Sequence, residues 1–329
     1  MSSHDSAYKF LFSHPQAVAD LLRGFVREDW VQLLDFASLE KVSGSYVSDD
    51  LRDREDDLIW RLRLRQPGRR EEWLYLYLLL EFQSSVVPQM ALRIMTYLGL
   101  LYQDLIRAEA CRPDRLPPVF PLVLYNGRPA WTAAQDVAEL IEPGPAGLAR
   151  YRPQLRYALI DEGRLPAAEL ARTDREQADN SVASLFQIER SASPRDVAQA
   201  VARLTQKLQG PEYDSLRRAF TVWINRLILR RFTPDPLPDL QDLPEVNTMI
   251  AEQIDDWTQQ LLRQGMAQGV ERGRHSGLAL TLQRQLTRRF GALPADITAR
   301  IAAADESQLQ NWLDQVLDAP TLAAVFTPA

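Results

Sequence analysis

Trp73-Leu74-Tyr75-Leu76-Tyr77-Leu78-Leu79-Leu80-Glu81-Phe82 is an apolar run of strand length that reaches a carboxylate and is followed at once by Gln83. Aromatic and aliphatic on both faces, it reads as a strand covered from both sides. Side chains alternate along a strand, so Glu81 and Gln83 project from the same face. A carboxylate at the edge of a buried strand loses hydration and needs a partner, a metal ion or another cation.

Working upstream, Asp57-Leu58-Ile59-Trp60-Arg61-Leu62-Arg63-Leu64-Arg65 alternates too. Leu58, Trp60, Leu62 and Leu64 take one side; Ile59, Arg61, Arg63 and Arg65 take the other, with Asp57 at the start of the arginine side. Only a short polar loop separates the two runs, which predicts an antiparallel hairpin. Such a hairpin brings the start of the first strand beside the end of the second, so Asp57 and Glu81 can meet. The arginine series has two readings, a solvated strand face or a set of phosphate contacts beside Asp57.

Composition narrows the chemistry. The chain has 329 residues, 46% of them hydrophobic, enough for a packed core and two or three domains. The run Trp73 to Leu80 is far too short to span a bilayer, and Asp5 and Lys9 sit where a secretory signal needs an apolar core. The expectation is a soluble, cytoplasmic protein. Cys111 is the only cysteine, and His4, His14 and His275 lack ligand spacing, which leaves carboxylates and a hard cation for any metal chemistry. Lys+Arg 38 against Asp+Glu 44 gives a formal charge of −6, so an affinity for nucleic acid has to come from local basic patches.

Asp57 on one strand and Glu81-Phe82-Gln83 on the next resemble the PD-(D/E)XK nuclease motif, with Gln83 where lysine is usual. Further stretches extend the likeness: His4-Asp5-Ser6-Ala7-Tyr8-Lys9, Met90-Ala91-Leu92-Arg93 through Tyr97, and Pro121-Leu122-Val123-Leu124-Tyr125-Asn126-Gly127. In this order and spacing they are similar to the bacterial recombination-promoting nucleases, the YhgA-like transposase family, over about residues 4 to 135 and more weakly to about 190. The resemblance implies an α/β fold, a restriction-endonuclease-like mixed sheet flanked by helices, followed here by an all-helical C-terminal region. It also implies a metal-dependent DNA endonuclease that promotes recombination or serves mobile elements. Asp57, Glu81 and the backbone carbonyl of Phe82 would hold the metal. Mg²⁺, or another divalent cation, suits such an oxygen-only set. Gln83, an amide, would orient the attacking water or contact the phosphate, and the identity of the base stays open. By the same resemblance Asp5 would add an acidic group from the first helix; otherwise it is a carboxylate favourable at a helix N-terminus. Lys9, Arg61, Arg63, Arg93 and Tyr97 would be the DNA contacts. Arg93 and Tyr97, four residues apart on a helix, equally fit plain packing with a surface charge.

Apolar spacing over 4–26, broken by Pro15, predicts two helical pieces. Leu33 to Val42 reads as a connecting segment and Ser45 to Leu51 as a first strand. Met90 to Arg107 has helical period, and Val119 to Tyr125 is a strand that completes a parallel crossover unit. Signals thin from Trp131 to about Ala198, apart from an edge strand at Leu155 to Ile160 and a helix at Leu165 to Arg172. Two helices fill 194–232. The prolines at 234, 236, 238 and 244 read as a linker. A long helix from Val246 meets Gly265, Gly269, Gly273 and Gly277, read as a fraying connector or as a close-packing stripe that joins two copies of the chain. Asp305 with Gln308 predicts a helix cap ahead of Leu309, Trp312, Leu313 and Val316. Residues 278–326, with Arg289-Phe290-Gly291-Ala292-Leu293-Pro294, resemble a small helical domain often appended to this nuclease family. The expected division is a nuclease-like domain over 1–190, a helical extension and linker over 191–245, the glycine-bearing helix over 246–277 and a small helical domain over 278–329. Two alternatives to the endonuclease remain: a DNA-binding protein without cleavage, and an interaction module working through its C-terminal helices.

Overall fold

The computed structural model describes residues 3–42, 57–65, 68, 72–81, 86–112, 114–177, 179–233, 238 and 240–326. Phe82 and Gln83, the segment 45–51, and the side chains of Asp5, Asp57 and Glu81 lie outside the described residues.

Five strands form one mixed sheet in sequence order: β1 (Leu34–Lys41), β2 (Asp57–Leu64), β3 (Glu72–Glu81), β4 (Val119–Tyr125) and β5 (Ala158–Asp161). β1, β2 and β3 run antiparallel, whereas β3, β4 and β5 are parallel. The expected hairpin is present and its register pairs Asp57 with Leu79, Ile59 with Tyr77, Arg61 with Tyr75 and Arg63 with Trp73. β3 is central and covered on both faces, with Leu74 to Leu80 all buried. That double covering is why its sequence is apolar throughout rather than alternating.

β1 occupies the segment read as a connection. Its pairing with β2 shifts register between Asp35 and Glu40, so a bulge breaks the period-two pattern that would have revealed a strand.

Helix α1 (Ser3–Leu11) and helix α2 (Pro15–Phe25) are the two pieces that Pro15 predicts. α3 (Met90–Arg107) connects β3 to β4 and buries Met90, Ile94, Tyr97, Leu98, Leu101 and Leu105. These meet Ile59, Tyr75, Tyr77, Leu79 and Val123, the odd-numbered face of the sheet. α1 packs against β3, and α2 against β1.

Among the described residues, four more α-helices lie before the long helix: α4 (Ala167–Glu176), α5 (Ser181–Arg190), α6 (Pro194–Lys207) and α7 (Asp214–Trp223). α7 continues as a π turn over Ile224–Ile228. α5 has no counterpart in the sequence reading. Ser181 to Phe186 and Ile188 are all buried, and a helix enclosed nearly all round shows little amphipathic stripe to find. Its N-terminus is held by Asp20 of α2, whose Oδ2 accepts hydrogen bonds from the Ser181 amide at 2.8 Å and hydroxyl at 2.6 Å. At Gly24 a Cβ would lie 2.8 Å from Asn180 Nδ2 and 3.0 Å from Thr173 Cγ2, so the close approach of α2 to this region depends on a missing side chain.

The chain divides into two compact units, Met1–Ile254 and Asp255–Ala329. α8 (Leu243–Phe290) runs across that boundary as one helix of 48 residues. In the second unit its C-terminal part meets α9 (Ala295–Ala303) and α10 (Glu306–Asp318) around Leu282, Leu286, Ile301, Leu309, Trp312 and Phe326. Asp305 caps α10 as expected: its carboxylate accepts from the Gln308 amide at 2.8 Å and Gln308 Oε1 from the Asp305 amide at 3.0 Å. Among the described residues, no helix is long and apolar enough to cross a membrane.

The four spaced glycines do not interrupt α8, contrary to a fraying connector. A Cβ at Gly265, Gly269, Gly273 or Gly277 would meet nothing within 4 Å. Gly269→Ala and Gly273→Ala should therefore each stabilise the chain, by about 1 kcal/mol, through helix propensity alone. Urea unfolding of the full chain measures this; a loss of stability instead would mean that something seats against the stripe in solution.

Candidate active site at the carboxyl end of the sheet

The strand directions gather one end of the sheet into a single region. β2 begins there at Asp57; β1, β3, β4 and β5 end there at Lys41, Glu81, Tyr125 and Asp161. In mixed and parallel sheets the carboxyl ends of the parallel strands are where ligands gather.

Register decides which residues share a face. Asp57 pairs with Leu79, two residues before Glu81, so Asp57 and Glu81 stand on the same face as diagonal neighbours. Glu81 pairs with Tyr125, and Tyr125 with Asp161, which puts Asp161 on that face as well, two strands from Glu81. Asp161 is occupied otherwise: its Oδ2 accepts from the Trp131 amide at 3.4 Å and pairs with Arg164 at 3.3 Å. Tyr125 stands between, its hydroxyl donating to the Pro129 carbonyl at 3.1 Å. A Cβ at Gly127 would collide with the Tyr125 ring, so the turn after β4 admits glycine alone.

α3 covers the same face. Tyr97 is 1% exposed, with its ring 5.9 Å from that of Tyr77 and its hydroxyl accepting from Arg93 Nε at 3.0 Å. Tyr97 is thus a core residue that holds the half-buried Arg93 guanidinium. The β2 arginines are engaged as well. Arg61 pairs with Glu40 at 2.5 Å, and Arg65 with Asp35 at 2.6 Å. Arg61 and Arg63 both lie over the Trp73 ring, at 4.5 and 3.7 Å from its centre. Stacked guanidinium groups keep their charge and their outward N–H groups, so the stack leaves a cationic surface on the Asp57 side. Lys9 of α1 lies near Lys41, whose ammonium is lowered in pKa by partial burial and then by the Lys9 charge.

The other face of this sheet end carries a polar cluster that the sequence reading did not assemble. Tyr8 is fully buried in α1, edge-on to Trp223 at 5.9 Å. Asn126 Nδ2 donates to the Tyr8 hydroxyl at 2.7 Å, and two carboxylate oxygens lie within reach of it: Glu189 Oε2 at 3.0 Å and Glu162 Oε2 at 3.3 Å. Arg231 pairs with Glu189 at 2.6 Å, and Arg190 donates to the Glu162 carbonyl. Glu162 is 1% exposed and its Oε1 has no partner among the described residues. Tyr8 and Asn126 lie within the quoted motifs, but Glu162 and Glu189 lie where periodic signals are thin; a charged pair closing the short strand Ala158–Asp161 was the available clue.

Among the described residues, no group of three or more His, Cys, Asp or Glu side chains could hold a metal ion. The side chains of Asp57 and Glu81 are not among those residues; the strand register places their positions on one face.

Burial, with the Glu189 charge adding to it, holds the Glu162 carboxyl well above the usual glutamate range. A carboxyl raised in the folded state stabilises the fold fully below its unfolded value of about 4.3, and that stability drains away as pH rises toward the folded value. Glu162→Gln removes the titration. Urea unfolding at about pH 5 and about pH 8 should show wild-type stability falling relative to the variant, by at most about 1.4 kcal/mol per pH unit.

The family model described as "Putative transposase, YhgA-like" matches residues 2–216. Over 124 residues the chain is 32% identical to recombination-promoting nuclease RpnD of Escherichia coli O157:H7, which takes in 38% of this chain and 45% of that protein. It is 31% identical over 125 residues to recombination-promoting nuclease RpnA of Escherichia coli strain K12, 38% of this chain and 40% of that one. The chain thus matches less than half the length of each of these two relatives. A third similarity runs nearly end to end: 25% identity over 308 residues, 92% of this chain and 96% of the inactive recombination-promoting nuclease-like protein RpnE of strain K12. No solved structure matches. With a mixed sheet and flanking helices consistent with an α/β nuclease fold, the chain belongs to the YhgA-like putative transposase family, in the PD-(D/E)XK superfamily.

Proposed function

We propose that this protein is a metal-dependent DNA endonuclease acting in the cytoplasm, with its site at the Asp57 and Glu81 strand ends. The observation that carries the reading is the β2–β3 register, by which two carboxylate residues share one face at one end of adjacent strands. The names of the relatives RpnD and RpnA support the same reaction class.

Asp57 and Glu81, with the Phe82 carbonyl, are the metal ligands in this reading. A bound Mg²⁺ or similar cation supplies charge neutralisation at the phosphate and an activated water. Gln83, which has no proton to exchange at neutral pH, orients the water or donates to a phosphate oxygen. Asp5 contributes a further carboxylate from α1. Arg93, held by Tyr97, meets the phosphate from the α3 side. Arg61 and Arg63, pre-oriented on Trp73, and Lys9, near Lys41, follow the DNA backbone. The nuclease-like domain of residues 1–190 does the chemistry. The helical C-terminal residues serve packing and self-association.

A second reading rests on one comparison: the relative matched nearly end to end is named inactive. Under it the same fold binds DNA or protein without cutting.

Nicking of supercoiled plasmid with Mg²⁺, Mn²⁺ or chelator separates the two. Metal-dependent cleavage is expected, with Asp57→Ala and Glu81→Ala each losing more than the roughly 10–100-fold that an outer-shell change costs at a metal site. Folding and DNA binding should persist in both variants. DNA binding without cleavage by the wild type would establish the second reading.

A further inference from the structure

Three groups converge on the Tyr8 hydroxyl, and proton counting fixes their roles. A phenol carries one proton and accepts two hydrogen bonds. Asn126 Nδ2 donates to it at 2.7 Å and so uses one acceptor position. Glu189, held by Arg231 at 2.6 Å, is the nearer carboxylate at 3.0 Å and takes the single phenol proton. The remaining contact, Glu162 Oε2 at 3.3 Å, is satisfied only when Glu162 is the donor, which requires a neutral carboxylic acid. Neutral Glu162 also relieves the unpartnered Oε1, because a buried carbonyl oxygen without a partner costs far less than a buried anion. The titratable and charged neighbours of this acid are Tyr8 from α1, Glu189 and Arg190 from α5, and Arg231 from the turn after α7. Its upward-shifted pKa agrees with the same assignment.

The cluster ties four parts of the chain together at the sheet end. Tyr8 lies in α1, three residues after Asp5 and therefore one turn away on the same helix face. Asn126 follows Tyr125, the parallel partner of Glu81, and Glu162 follows Asp161 at the end of β5. Glu189 comes from α5.

We infer that Tyr8 is a positioning residue: bonded to Asn126, Glu189 and neutral Glu162, it pins α1, and with it Asp5, to the ends of β4 and β5. The inference rests on the nuclease reading for its catalytic consequence but not for the pin itself. Tyr8, fully buried, acts in that reading through Asp5.

The test uses the full-length chain and four variants: Tyr8→Phe, Asp5→Ala, their combination, and Glu162→Gln, whose amide donates to the phenol as the neutral acid does. Tyr8→Phe should remain folded, bind DNA with unchanged Kd and exchange its α1 amide hydrogens at least about 10-fold faster, as expected of local opening. Its cleavage rate at saturating DNA should fall about 10-fold, within the range that outer-shell positioning groups give at metal sites. The double variant should cut no more slowly than Asp5→Ala alone, because groups acting as one unit are not additive. Glu162→Gln should keep wild-type exchange and cleavage. Unchanged α1 exchange in Tyr8→Phe, losses that multiply in the double variant, or a Glu162→Gln defect as large as that of Tyr8→Phe would each overturn the inference. A wild-type chain that binds DNA and cuts none sinks the nuclease reading and, with it, the role assigned to Asp5; the exchange measurement then still decides the pin.

Discussion

The pairing of Asp57 with Leu79 is the constraint on which the rest of the site depends. A slip of one residue between β2 and β3 would send Asp57 to the opposite face from Glu81, and would turn Ile59 away from the α3 core and Trp60 into it. The slip is opposed by burial on both faces at once, with Leu58 and Trp60 at 1% exposure on one side and Tyr75 and Tyr77 at 0–1% on the other. The same packing that stabilises the sheet therefore fixes where two carboxylates project. Stability and geometry are not separate achievements here, since the apolar residues that set the register flank the acidic residues it positions.

The two faces of the sheet end do different work. The α3 face carries the Asp57 and Glu81 positions at this end and, toward the other end of the same strands, the arginine pair stacked on Trp73. The α1 face holds Tyr8, Asn126, Glu162 and Glu189 in a cluster joined at the Tyr8 hydroxyl, with Glu162 Oε1 unpartnered among the described residues. Low dielectric makes such a cluster stiff when its protons are correctly distributed and costly when they are not.

Much of this was legible in the chain. β3 announced itself by its unbroken apolar run, the hairpin by alternation on β2, and the cap of α10 by Asp305 and Gln308. Those features are local, and local rules reach them. What stayed hidden had physical causes: a bulge erased the alternation of β1, and burial nearly all round erased the stripe of α5. α8 runs unbroken through its glycines, since residues such as Gln264, Met266, Ala267 and Gln268 between them are good helix formers that offset the glycine cost. At the site, the shared face of Asp57 and Glu81 followed from strand periodicity. The bond from Tyr8 to Glu189 did not, since 181 residues separate them and no pattern in the chain encodes such a meeting.

The bulge in β1 and the shortness of β5 have one more effect. Among the described residues they are the two edges of the sheet, and an edge is where unpaired N–H and C=O groups can recruit a strand from another molecule. β1 is bent by its register shift and carries Asp35, Glu40 and Lys41, two of these side chains tied to arginines of β2. β5 offers only four residues before the chain turns into a short helix at Glu162–Arg164. Neither edge is a flat, apolar template, so an aromatic, strongly β-forming sequence such as Trp73 to Leu80 sits inside a sheet whose margins resist the strand-to-strand stacking that leads to aggregates.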